Sequence, residues 1–120
     1  MSRVSRRDGA RSATVPSRAG ARDVIVAGIA GSIAANVVPH LAHGITGRPF
    51  PTPFANPPGV GDSSAVLNLI WATVNAFGAV TLFAGVRHHL DEPRVRASAA
   101  VGAVVSGAAV RAYFRSVRRH

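Results

Sequence analysis

Two stretches of this chain run for about the thickness of a bilayer without an ionic side chain. VIVAGIAGSIAANVVPHLA, Val24 to Ala42, is 19 residues long, and AVLNLIWATVNAFGAVTLFAGV, Ala65 to Val86, is 22. A helix needs about 20 such residues to cross a hydrocarbon core roughly 30 Å thick. A soluble helix of that length shows a polar face, and neither stretch has one. Both are expected to span a membrane.

Charge supports this. The chain has 14 arginines, no lysine and 5 acidic residues. Arg3, Arg6, Arg7, Arg11, Arg18 and Arg22 precede the first apolar stretch, and Arg111, Arg115, Arg118 and Arg119 close the chain. Between Asp23 and Arg87 the only ionic residues are Arg48 and Asp62. A nucleic-acid binder interleaves its basic residues with aromatic and polar ones across the fold, so no nucleic-acid partner is expected. Arginines flanking uncharged blocks are the arrangement of a membrane protein. The chain has no cysteine, which excludes disulfides, thiolate catalysis and thiolate metal sites.

A third segment, ASAAVGAVVSGAAV at Ala97 to Val110, is built only of Ala, Gly, Ser and Val. Such residues gain little by leaving water. Arg111 can snorkel to the headgroups and lengthen the span to Phe114, with Tyr113 at the interface. The fold class that follows is all-α: a small helical integral membrane protein with three transmembrane helices and a Pro-rich extracytoplasmic loop. The expected divisions are a basic disordered tail over 1–22, a first span over 23–43, the loop over 44–63, a second span over 64–90, a third span or membrane-packed helix over 93–115, and a basic tail over 116–120. Asp62, Ser63 and Ser64 offer N-caps for the second helix. Asp91 offers one for the third, with Pro93 in its first turn. The short link predicts that helices two and three form an antiparallel hairpin.

Arginine counts set the expected orientation. With three spans and the N-terminus in the cytoplasm, nine arginines lie inside and five outside. The positive-inside rule favours this over the reverse, which gives a multi-pass protein of the cell membrane with a cytoplasmic N-terminus. If the third segment lies on the surface, thirteen are inside and one outside. That fits the rule better, but the segment lacks the bulky apolar face of a surface helix. Ser5-Arg6-Arg7-Asp8 is similar to a twin-arginine signal without the apolar residues that should follow it. Cleavage at Ala34 or Ala35 is not expected, because the apolar run continues past that point.

GRPFPTPFANPPGVG, Gly47 to Gly61, joins the first two spans. Its prolines fix φ and bias the preceding residues to extended backbone, which predicts a stiff polyproline-like connection with no paired strand. The loop is expected to cap the mouth of the bundle, with Pro57-Pro58-Gly59 as a turn and with Phe50 and Phe54 dipping into the interface or packing over the helix ends. Low-entropy Pro-rich backbone also suits docking of a partner.

The polar residues inside the spans are few. Asn36, His40 and His43 share one helix face if the helix continues through Pro39, and Asn68, Trp71 and Asn75 share a face of the second helix. His40 and Asn68 lie at similar depth and Asn36 about one turn deeper. The candidate ligand-binding residues are therefore Asn36, His40, Asn68 and Trp71. Asn75 needs its own partner, Ser106 or a backbone carbonyl across the hairpin. Interhelical hydrogen bonding is the plain reading of these residues, and a ligand or proton-carrying role for His40 is the sharper one. His40 and His43 are a membrane thickness from His88 and His89 and alone, without carboxylate or Cys, are a weak zinc site, so no metal site is expected. No His of the second or third span supplies a second axial ligand for haem at that depth, so no cofactor is expected. Small residues repeat every fourth position: Ala27, Gly31 and Ala35; Ser98, Gly102 and Ser106; Ala99, Ala103 and Gly107. These flat faces let helices approach, within the chain or between chains.

From Asn36 to Gly78 the sequence resembles a group of small bacterial integral membrane proteins with no assigned activity. The resemblance is carried by Asn36-x-x-Pro39-His40, Gly44-Ile-Thr-Gly47, PTPFANPPG at 51 to 59, and Ser63-Ser64-x-x-x-Asn68-x-x-Trp71-x-x-x-Asn75. It implies a membrane protein and supplies no mechanism. No acid/base pair or nucleophile converges on one point, so no enzyme and no catalytic residue is expected. The expected role is that of a structural or accessory subunit, in contact with the lipid bilayer and with a second copy or another membrane protein. The alternative is a small-molecule or cofactor binder in the outer leaflet using the His/Asn/Trp cluster.

Overall fold

A computed structural model describes residues 17–117. Three helices account for most of them: α1, Ala21–Thr46; α2, Ala65–Gly85; and α3, Pro93–Val117. Each is long and apolar enough to cross a membrane. At about 1.5 Å per residue even α2 matches a hydrocarbon core. The chain is an all-α helical protein with a two-stranded ribbon between α1 and α2. Most of the expected basic tails, 1–22 and 116–120, lies outside the described residues.

Helix ends follow local chemistry. The Asp23 carboxylate accepts the Gly20 N–H at 3.0 Å, which closes the first turn of α1. At the other end Gly47 adopts φ 69°, and the Arg48 N–H reaches the His43 carbonyl at 2.9 Å. This is a left-handed glycine cap, a backbone conformation that costs other residues. The helix runs unbroken through Pro39. Ser64 caps α2, its hydroxyl accepting the Leu67 N–H at 3.2 Å. Glu92, not the expected Asp91, precedes Pro93 at the start of α3, and its carbonyl accepts the N–H groups of Val95 and Arg96 at 3.1 Å each. Its carboxylate faces back across the bundle, accepting the Ala19 N–H at 3.0 and 3.2 Å and the His89 Nδ1–H at 2.7 Å. The tight link is a single 3₁₀ turn, Arg87–His89.

The expected hairpin between α2 and α3 is not how the helices pack. Helix α1 lies between them and packs extensively on both, while α2 and α3 make no comparable contact with each other. Sequence adjacency suggested the hairpin, but the small-residue face of α3 has its match on α1. Residues Gly28, Gly31 and Ser32 face Ser98, Ala99 and Gly102 there.

The side-chain distribution is inverted relative to a protein in water. Buried positions on the helices hold Ala27, Ala30, Gly31, His40, Asn68, Ala72, Asn75 and Ala79. Ile25, Ile29, Ile70, Val74, Phe77, Val80, Val101 and Val104 point outward, most of them more than half exposed. Apolar exposure on this scale marks an interaction surface. Lipid makes it favourable, because lipid tails solvate Ile and Phe while small residues let backbones meet. The chain is thus a multi-pass membrane protein in contact with lipid.

The Pro-rich stretch departs from a simple extended connection. Phe50 and Pro51 form a short strand, β1, antiparallel to β2, Asp62–Ser63, with Phe50 opposite Ser63. Pro51 tolerates this because the ribbon has only edges. Between the strands the chain turns compactly, the Thr52 carbonyl accepting the N–H groups of Ala55 at 3.1 Å and Gly59 at 2.9 Å. Stiffness therefore serves a folded cap and not a spacer.

Candidate functional site

Asn68 sits one turn into α2 and is wholly buried. Its amide nitrogen donates toward three carbonyls: Phe50 at 2.9 Å, Ser64 at 3.0 Å and Ser63 at 3.3 Å. Two of these, Phe50 and Ser63, are the paired residues of the ribbon. One side chain thus fastens both strands to the end of α2. Behind it the hydroxyls of Thr52 and Ser63 meet at 2.5 Å, both buried.

With its nitrogen so engaged, Asn68 presents Oδ1 to His40 Nδ1 at 2.7 Å. An amide oxygen only accepts, so His40 carries its proton on Nδ1. In the neutral ring Nε2 then holds the lone pair, and it has no hydrogen-bond partner among the described residues. The His40 ring is 4% exposed and packs edge-on to Phe50 (centroids 5.3 Å apart) and Trp71 (6.5 Å). It lines a cavity of about 390 Å³ with Asn36, Thr52, Trp71, Tyr113 and Phe114.

Phe50 plugs the bundle at this end. It stacks on His43 at 4.2 Å and meets Phe114 of α3 at 4.8 Å. Phe54 stands edge-on to Trp71 at 5.4 Å and stays exposed. The Tyr113 hydroxyl reaches the Gly59 carbonyl at 3.4 Å, a long bond, so α3 also touches the cap. A wider cavity of about 680 Å³ opens between α1 and α3 and shares Asn36, Val110 and Phe114 with the first.

Of the four residues singled out from sequence, the structure joins His40, Asn68 and Trp71. Asn36 shares their cavity but bonds elsewhere, donating to the Asn75 Oδ1 at 3.3 Å. Asn75 therefore finds its partner in α1 and the Trp71 carbonyl, at 2.8 Å, and not in Ser106. Ser106 instead donates to the Ser32 carbonyl at 3.1 Å. Packing over the helix ends was one of two expectations for Phe50 and Phe54, and Phe50 adopts it while Phe54 stays exposed. Thr52 and Ser63, the hydroxyl pair behind Asn68, were not identified from sequence, since isolated hydroxyls in a loop carry no distinctive pattern.

The chemistry open to this arrangement is narrow. It offers one imidazole lone pair, several aromatic edges and amides already committed to other bonds. Among the described residues no group of three His, Cys, Asp or Glu is placed to hold a metal ion. Compared with family models, with curated proteins and with solved structures, the chain matches none of them.

Proposed function

We propose that the chain is a non-catalytic structural or accessory subunit of the cell membrane, with a cytoplasmic N-terminus and an extracytoplasmic cap. The observation that carries the reading is the use made of polar groups within the spans. The Asn68 amide is consumed by the cap and by His40, and Asn36 by Asn75. A reaction centre needs groups free to meet a substrate. These groups hold helices and cap in register, which suits a protein whose product is a shaped surface for a membrane partner or a second copy. Electrophoresis of mildly solubilised membranes under native conditions tests it: the chain should migrate in an assembly larger than the monomer, and migration as a lone monomer at every detergent level sinks the subunit reading. Reporter fusions test the orientation. Residue 1 should report as cytoplasmic, Val60 as outside and residue 120 as outside.

One observation favours a second reading, a small-molecule or cofactor binder. His40 Nε2 lacks a partner among the described residues at the wall of a cavity with Trp71 beside it. A ligand there would donate a hydrogen to Nε2 and lie against the indole. Purified protein without visible absorbance, metal or an extractable small molecule eliminates this reading.

A further inference from the structure

The wider cavity is a groove between α1 and α3 at the end that carries the cap. Its walls include Val38, Pro39, Gly107 and Val110, and at its border stand Arg111 and Arg115. Its volume, about 680 Å³, lies in the range of ligand sites, about 300–1,000 Å³. The two arginines are four residues apart and share one face of α3. Both are exposed, and neither guanidinium makes an ion pair with a described carboxylate. The carboxylates of Asp23 and Glu92 are engaged at the opposite end of the bundle, around Ala19 and His89, and Asp62, in β2 at the cap end, makes no ion pair with either arginine. The groove thus combines apolar walls with two uncompensated cations at one end of a span, the level at which headgroups lie.

We propose that this groove holds one anionic phospholipid, an acyl chain against the walls and the phosphate between Arg111 and Arg115. Any lipid tail would wet the walls, so the arginines supply the selectivity. A guanidinium fork matches phosphate oxygens and forms paired charge-assisted hydrogen bonds with them. An arginine near a span end reaches headgroup depth without entering the hydrocarbon. The inference rests on α1 and α3 crossing the bilayer and is independent of which way they cross. It is also independent of the subunit reading, since a lone monomer can bind the lipid.

The test uses the full chain in a nonionic detergent. Phosphatidylglycerol or phosphatidylcholine with the same acyl chains is added in equal amount. Native mass spectrometry counts the lipids retained, and thermal unfolding is followed in parallel. One phosphatidylglycerol per chain should be retained in preference to phosphatidylcholine, and only the former should raise the melting temperature. Arg111→Gln and Arg115→Gln should each lower the retention ratio about fivefold. Gly107→Leu should abolish selective retention and leave the lipid-free melting temperature unchanged, because a Cβ there meets nothing within 4 Å. Equal retention of the two lipids overturns the proposal. So does an equal rise in melting temperature with inorganic phosphate alone, which would indicate an anion site without a lipid. Selective retention that survives Gly107→Leu places the lipid on other arginines of the chain, and loss of a dimer in that variant gives the groove to a second copy; either result overturns the assignment.

Discussion

The two faces of α1 are joined to their neighbours by different chemistry. Toward α2 the contact is made by side chains: Asn36 to Asn75, His40 to Asn68, with Ala72 and Ala79 buried between and beyond. Toward α3 it is made by backbones. A Cβ added to Gly31 would lie 2.0 Å from the Ala99 carbonyl oxygen, and one added to Gly102 would lie 2.1 Å from that of Gly28. Serine hydroxyls stitch this seam from both sides: Ser98 to the Val24 carbonyl at 2.6 Å, Ser32 to that of Gly102 at 3.1 Å, Ser106 to that of Ser32 at 3.1 Å. In lipid, helices gain nothing by hiding leucine from the solvent, so close packing and polar bonds are what remain. Helix α3 uses both, with backbones in close approach and serine hydroxyls on the carbonyls across the seam, whereas α2 meets α1 through amide and imidazole side chains. This explains why α3 pairs with α1 across some 50 intervening residues and not with its neighbour in sequence.

The largest effect should come from breaking the backbone seam. Gly31→Leu puts a side chain where the Ala99 carbonyl stands, and neither backbone can yield cheaply. Overpacking of this kind costs about 1–3 kcal/mol and occasionally more, and the upper end is expected because the obstruction is main chain. Unfolding in a denaturing-detergent titration should show it, with α3 separating from α1 before α2 does. If Gly31→Leu costs less than the polar variant below, the contrast between the faces fails.

Next comes the anchor of the cap. Asn68→Ala strands the buried His40 Nδ1–H and removes the amide that donates to the cap at the Phe50 carbonyl, at a cost of about 1–2 kcal/mol. The effect should be local as well as global. Because the chain has no cysteine, an Ala55→Cys background reports on the cap, Ala55 being 8% exposed. Maleimide labelling at that position should accelerate markedly in Asn68→Ala. An unchanged labelling rate would mean that Phe50 packing, not Asn68, seats the cap.

A smaller effect separates the two polar pairs from each other. The Asn36–Asn75 bond is long, at 3.3 Å, and both amides are carried on helices that pack without it. A double-mutant cycle of Asn36→Ala and Asn75→Ala should give a coupling of about 0.6 kcal/mol, the average for such bonds in membranes. A coupling as large as the loss in Asn68→Ala would make this pair, and not the cap, the main polar link between α1 and α2.

These contrasts show what could be read in the sequence. Three spans follow from length and absence of charge, which hydrocarbon imposes on any helix that crosses it. The proximity of His40 to Asn68 followed from depth along two antiparallel helices. The pairing of Asn36 with Asn75 did not, because depth alone does not fix helix rotation, and a turn of one helix exchanges one partner for the next. The small-residue repeats were visible on α3 as two adjacent rows, Ser98/Gly102/Ser106 and Ala99/Ala103/Gly107. Which row becomes the seam depends on the partner helix, and the partner proved to be α1. A loop over the bundle mouth was expected, but its ribbon was hidden for a different reason: prolines announce fixed φ, whereas its compactness comes from the Thr52 carbonyl and the Asn68 amide, groups with no marked local signature.

The smallest expected effect is the sharpest test of which row was chosen. Gly102 and Gly107 are both small residues of α3, five positions apart and so on different sides of the helix. Gly102 abuts the Gly28 carbonyl, whereas a Cβ at Gly107 meets nothing within 4 Å. Gly102→Leu should therefore approach the damage of Gly31→Leu. Gly107→Leu should change stability in lipid-free detergent by no more than about 0.5 kcal/mol, as for surface substitutions clear of special features. Greater hydrophobicity cannot produce the difference, because both variants gain the same leucine. Only the presence of a backbone opposite one glycine and open space opposite the other can separate them. Equal melting temperatures for the two variants, in either direction, would mean that α3 is not held against α1 by the Gly102 face.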